Sequence, residues 1–218
     1  MLSPQTPPSE PRIGPVGPWR FVSDQRVGSI ERIELRELAL ARDAATIHDW
    51  VRRDYARYWG MQGMTCADVR AAYEALTARP SLRALIGLVR AADEAPRPAF
   101  LTECYLPICE AFARHYDARD SDRGLHILVA PRPAQPIPGF TRAAFASVLE
   151  LLFADPAAER IVVEPDVRNH KIRAINRAFG FCELRPIEIE ASPAGPAKTA
   201  MLSVCTREDL RRAMETLP

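Results

Sequence analysis

The chain has 218 residues, 47% of them apolar, which suits one domain with a substantial core. Its formal net charge is +1 with both signs interspersed, so no basic stripe marks a nucleic-acid partner. No apolar run of about 18 residues offers a membrane span, and no apolar signal core opens the chain. Five cysteines, at 66, 104, 109, 182 and 205, lack metal-ligand spacing and read as reduced thiols. A cytoplasmic protein with no metal site, monomeric or weakly self-associating, is the expectation.

Residues 1–18 hold six prolines and read as a mobile tail, with Trp19, Phe21 and Val22 as an extra strand anchoring the single domain, 19–218. Apolar spacing from Ile30 to Leu38 predicts a strand. Ile47, Val51, Tyr55 and Tyr58 recur at helical spacing, predicting a helix over 43–58. Thr65 with Asp68 is a capping-box start for a second helix carrying Val69, Tyr73 and Leu76. Two apolar runs, 82–91 and 98–106, flank the turn 93–98 and predict a hairpin. A third run, Leu125–Ala130, precedes a proline-rich loop, 131–139. Phe145, Val148, Leu149 and Leu152 then mark a helix. Residues 160–164 form a short buried strand, and Ile172, Ile175 and Phe179 a helical stripe closed by Gly180. Two strands, near 182–190 and 199–205, flank a proline-glycine loop, and Thr206 with Asp209 caps a last short helix. The order is β-α-α-β-β-β-α-β-α-β-β.

Arg160-Ile-Val-Val-Glu-Pro-Asp-Val-Arg-Asn169, followed by a helix ending in Gly180-Phe181, resembles the fifth strand and fourth helix of the GNAT acyltransferases. Five pieces, the last of them within that segment, narrow the likeness: His48-x-Trp50, Tyr58-Trp59, Glu103-x-Tyr105, Asp122-Arg-Gly-Leu-His126 and Glu164-Pro-Asp166-Val-Arg-Asn169. They resemble the acyltransferases that build hydroxamate siderophores for iron acquisition. The resemblance implies a mixed, mostly antiparallel twisted α/β (α+β) sheet of about seven strands flanked by helices. Its fourth strand, 124–130, and fifth, 160–164, would be splayed apart. It also implies acyl-CoA as a co-substrate rather than a tightly bound cofactor.

Acyl transfer needs an aligned thioester, a donor for the oxyanion and a base for the nitrogen's proton. His126 is expected as that base. Asp166 is expected to orient it, the alternatives being a buried structural histidine and an Asx-type cap. The resemblance places Leu128, Val129, Arg132, Gly139, Phe140, Thr141, Arg142, Asn169 and Arg173 on the CoA side. The helix start at 139–142 has free N–H groups for phosphate, and Arg132 and Arg142 add charge. Asn169 is also a preferred N-cap. On the acceptor side it places His48, Trp50, Trp59, Glu103 and Tyr105. Glu103, a charge in an apolar strand, is expected to meet an ammonium.

Two departures stand out: Asn176 occupies the place where many GNAT enzymes carry a tyrosine acid, and the pyrophosphate loop is replaced by the segment Arg132–Arg142. The expected reaction is acyl transfer to an N-hydroxylated diamine or amino acid. The leading pair is succinyl-CoA with N-hydroxyputrescine, as in the alcaligin type. Acetyl transfer to N6-hydroxylysine, as in the aerobactin type, aminoglycoside 6'-N-acetylation and a non-catalytic acyl-CoA-binding module are the alternatives.

Overall fold

The computed structural model describes residues 11–14, 17–92, 94–191 and 196–216. Its strands and helices, in chain order, are β1 (Arg20–Ser23), β2 (Ile30–Glu37), α1 (Leu40–Val51), α2 (Cys66–Thr77), β3 (Leu82–Ala91), β4 (Arg97–Tyr105), β5 (Asp122–Val129), α3 (Phe140–Phe153), β6 (Arg160–Val163), α4 (His170–Ala178), β7 (Cys182–Ile189), β8 (Lys198–Thr206) and α5 (Arg207–Thr216). The strands form one eight-stranded sheet in the order β1-β2-β3-β4-β5-β6-β8-β7. Every pairing is antiparallel except β5 with β6. The extra strand at Phe21 brings the count to eight against the seven expected.

The sheet divides the core in two because successive strand side chains alternate faces. On β5, Leu125, Ile127 and Val129 face the cluster built on α3 and α4, including Phe145 and Phe179. Leu128 and Ala130 face the other cluster, built on α1 and α2, with Ile47, Trp50 and Tyr73. His126 therefore belongs to the α1/α2 face.

Local chemistry sets the helix ends. Thr65 and Asp68 form the expected capping box on α2, and Thr206 with Asp209 does the same work at α5. Asn169 caps α4, its side-chain oxygen accepting the N–H of Ile172. After α4, Gly180 is left-handed at φ 86°, and a Cβ there would meet the Asp209 carbonyl at 2.5 Å. Glycine is required at that crossing.

Two expectations change. The first helix stops at Val51, because Arg53 is extended, and Tyr55 and Tyr58 fall in a 3-10 turn, Asp54–Trp59. Within the expected tail, Ile13 is 1% exposed and its N–H bonds the Pro80 carbonyl. The rest of that tail call, 1–10 and 15–16, lies outside the described residues, as do Asp93 of the hairpin turn and 192–195 of the proline-glycine loop.

The feature that positions the site is a divergence. β5 and β6 pair only at Asp122↔Arg160 and Arg123↔Ile161. Buried Asp122 pins that junction by accepting from Arg160, Tyr116 and the Arg119 N–H, and Arg123 is held by Asp155. Beyond it β6 pairs only with β8, and the two strands part.

Candidate active site

The gap opens into a cleft of about 1440 Å³ that runs through the sheet from the α1/α2 face to the α3/α4 face. His126 stands at its centre. On β4, Glu103 is its register partner, and the Glu103 carboxylate lies 3.0 Å from His126 Nδ1. On β6 the chain continues past Val163 to Glu164, whose carboxylate lies 3.2 Å from His126 Nε2. The imidazole is thus held between two buried carboxylates while 42% of its side-chain surface stays exposed to the cleft.

Further hydrogen bonds hold each carboxylate. Tyr73 donates to Glu103 at 2.7 Å and receives the Trp59 indole N–H at 3.1 Å. Tyr105 donates to Glu164 at 2.8 Å, and Lys198 Nζ reaches the same residue at 3.0 and 3.3 Å. Burial by itself disfavours a charged imidazole. The Glu164 charge and the bonds to Glu103 and Glu164 outweigh it and push the His126 pKa up to about 10. Burial would likewise raise Glu164, but Lys198 and His126 hold it well below the usual carboxylate range. The raised His126 pKa favours an imidazolium paired with the Glu164 carboxylate.

On the other face, the cleft is lined by the outer half of β5 and the start of α3. The Ala130 N–H bonds the Ala99 carbonyl on β4 at 2.8 Å. Alternation then turns the main-chain groups of Ile127 and Val129 away from β4 and into the gap. α3 follows Gly139, left-handed at φ 82°, with no side-chain cap; the Phe140 N–H bonds the Ile137 carbonyl, and the Thr141 and Arg142 N–H groups of the first turn are the ones placed for an anion. The residues present therefore fit a pantetheine arm along β5 with its pyrophosphate at α3.

Several expected site residues meet in this cleft: His126, Glu103, Tyr105, Trp59, Leu128, Val129, Arg132, Phe140, Thr141, Asp166 and Asn169. Gly139 and Arg142 line a smaller hollow beside it with Thr141. Trp59 meets the His126 ring edge-on at 6.2 Å. Asp166 does not orient His126. Its carboxylate takes the Arg168 guanidinium and the Arg168 N–H, the Asx-type arrangement, because beyond the end of β6 at Val163 the side chain turns to the loop that follows it. Glu103 is already bonded to Tyr73 and His126 rather than left for an ammonium. Trp50 is core, 5% exposed among Ile47 and Val51. His48 bonds the Met64 carbonyl at 3.2 Å, and Arg173 is held by Glu183 and the Val167 carbonyl. None of these three lines the cleft.

Sequence reasoning missed Glu164, Tyr73 and Lys198. Glu164 carried a signal: two residues beyond Val162, it shares the sheet face of His126 by strand alternation. Asn176 is 2% exposed at the cleft wall, and its side-chain oxygen has no hydrogen-bond partner among the described residues.

The acetyltransferase (GNAT) domain family matches residues 39–189. Among curated proteins, none matches. Among solved structures, an uncharacterised Bacillus halodurans protein superposes with TM-score 0.75 at 19% identity, covering 90% of this chain and 94% of its own. Aminoglycoside acetyltransferase AAC(6')-Ib, in complex with paromomycin and acetyl-CoA, gives 0.67 at 23% identity, covering 83% and 96%. A spermidine N-acetyltransferase chimera of Vibrio cholerae and human sequences gives 0.60 at 17%, covering 82% and 98%. Fold, cleft and family match converge on one assignment: the chain belongs to the GNAT acetyltransferases and is an N-acyltransferase that takes its acyl group from coenzyme A.

Proposed function

We propose that this enzyme acylates the N-hydroxylated nitrogen of a small aliphatic amine, forming a hydroxamate for siderophore assembly. The observation that carries the reading is the clamp itself: each ring nitrogen of His126 lies within hydrogen-bond distance of a carboxylate, Glu103 on one side and Glu164 on the other. His126 already holds a proton between Glu103 and Glu164, so the proton acceptors left in the centre are carboxylates. A carboxylate is a poor base for stripping an alkylammonium. A hydroxylamine nitrogen arrives neutral and loses its proton only as it attacks, a task a carboxylate can perform.

The proton inventory then closes. Nitrogen attacks the thioester carbonyl and its proton passes to a clamp carboxylate. As the C–S bond breaks, the electron pair leaves on sulfur, and His126 gives its proton to that thiolate. The carboxylate's proton restores the imidazolium. This supplies the acid that Asn176, a carboxamide, does not.

Succinyl-CoA with N-hydroxyputrescine is the leading pair, by resemblance. Lys198, lying on Glu164 inside the cleft, offers the distal carboxylate of such an acyl group a cation. A second reading, transfer to a plain polyamine or aminoglycoside nitrogen, takes its support from the structural neighbours named for those substrates.

Thiol release decides between them. Acetyl- and succinyl-CoA are each offered with N-hydroxyputrescine, N-hydroxycadaverine and N6-hydroxylysine, with their parent amines putrescine, cadaverine and lysine, and with spermidine and an aminoglycoside. Turnover at least about tenfold faster with a hydroxylamine than with its parent amine is expected, a difference of about 1.4 kcal/mol in barrier. Preference for the parent amine would refute the hydroxamate reading.

A further inference from the structure

We propose that Glu110 anchors the distal ammonium of a linear aliphatic acceptor whose other nitrogen reacts at His126. The inference rests on the acceptor reading above for the kind of molecule bound, and its test separates the two.

The cleft does not end at the imidazole. Tyr105 carries its wall onward, its ring 4.9 Å from the His126 ring on one side and 6.3 Å, edge-on, from Phe112 on the other. Leu76, Leu82 and Ile189 line the same stretch, making an apolar channel. Glu110 and Arg79 line the same cleft as an ion pair of 2.6 Å, with both side chains partly buried at 23% and 30% exposure. Burial raises the Glu110 pKa even with Arg79 beside it.

The channel's composition specifies its occupant. Methylenes gain by covering Leu76 and Ile189, which are half-buried beside the buried Leu82 and Phe112. An ammonium gains by reaching a poorly solvated carboxylate. Glu103 and Glu164 are committed to His126, and Glu164 also to Lys198. Glu190, which lines the outer cleft, is 84% exposed by its side chain and screened by water. A cation threaded past His126 therefore meets Glu110 in the low-dielectric part of the channel.

The test is a two-by-two set of acceptors: N-hydroxyputrescine, putrescine, N-hydroxybutylamine and butylamine, with the better of the two acyl-CoA donors. The charge axis reads Glu110 and the hydroxyl axis reads the proposed chemistry. The wild-type KM is expected to be about tenfold lower for each diamine than for its monoamine, the low end for a charge-assisted hydrogen bond. Glu110→Gln is expected to raise the diamine KM to the monoamine value. Glu110→Asp, which draws the carboxylate back by one methylene, is expected to move the preference from N-hydroxyputrescine to N-hydroxycadaverine. A merely structural carboxylate would not shift chain length. Equal KM for diamine and monoamine in the wild type, or an unchanged ratio in Glu110→Gln, overturns the anchor whatever the hydroxyl axis shows. A loss on the hydroxyl axis alone refutes the hydroxamate reading and leaves the anchor standing.

Discussion

The carboxylates on either side of His126 favour its protonated form, and that has consequences at the bench. Replacing the histidine with glutamine keeps hydrogen-bonding capacity but removes the transferable proton. We expect kcat to fall by ~10²–10⁴ with little change in acyl-CoA KM. An unchanged kcat in folded protein would refute the relay. The folded-state pKa is raised above the ordinary histidine value of 6.5, to about 10. Its stabilising contribution is therefore complete below about 6.5 and is lost as pH climbs toward about 10. Denaturation of wild type and His126→Gln across that window should show the wild-type advantage shrinking with rising pH. An advantage that grew would mean the imidazole folds neutral. By the same reasoning, the rate profile should show no inflection near 6.5.

Among the elements, what the sequence revealed was what local chemistry decides. The capping boxes at Thr65 and Thr206 were readable because both partners lie within one turn. The end of the first helix was not, because Val51, Tyr55 and Tyr58 keep helical spacing while Arg53 turns the backbone extended. His126 was legible as a site residue through the family motif, but its partner was misassigned. Whether Glu164 or Asp166 faces it depends on how far β6 runs before Pro165, a register that motif spacing does not encode. Gly124 shows how an element presents a side chain. A Cβ there would lie 2.1 Å from the Tyr105 ring, so its absence lets that ring lie across β5 and reach Glu164. Gly124→Ala should displace Tyr105 and lower kcat while the far-ultraviolet circular dichroism stays native. Full activity in that variant would show that Tyr105 is not needed on Glu164.

On the scale of the whole molecule, one sheet does two jobs. Its β1–β4 half and its β6–β8 half are continuous ladders, and the α3/α4 and α1/α2 cores brace their two faces. Between them, β5 is bonded along its length to β4 but to β6 at two register positions only. A strand in the middle of a folded sheet is normally among the last to exchange its amide hydrogens with solvent. Here the backbone N–H groups of Ile127 and Val129 should take up deuterium quickly, while those of His126 and Leu128, bonded to β4, stay protected. Coenzyme A lying along the gap should act as a missing strand and slow that exchange. The result would be a two-residue alternation of fast and slow amides in the free enzyme that flattens on saturation. Uniformly slow exchange along β5 without ligand would show that the gap closes in solution.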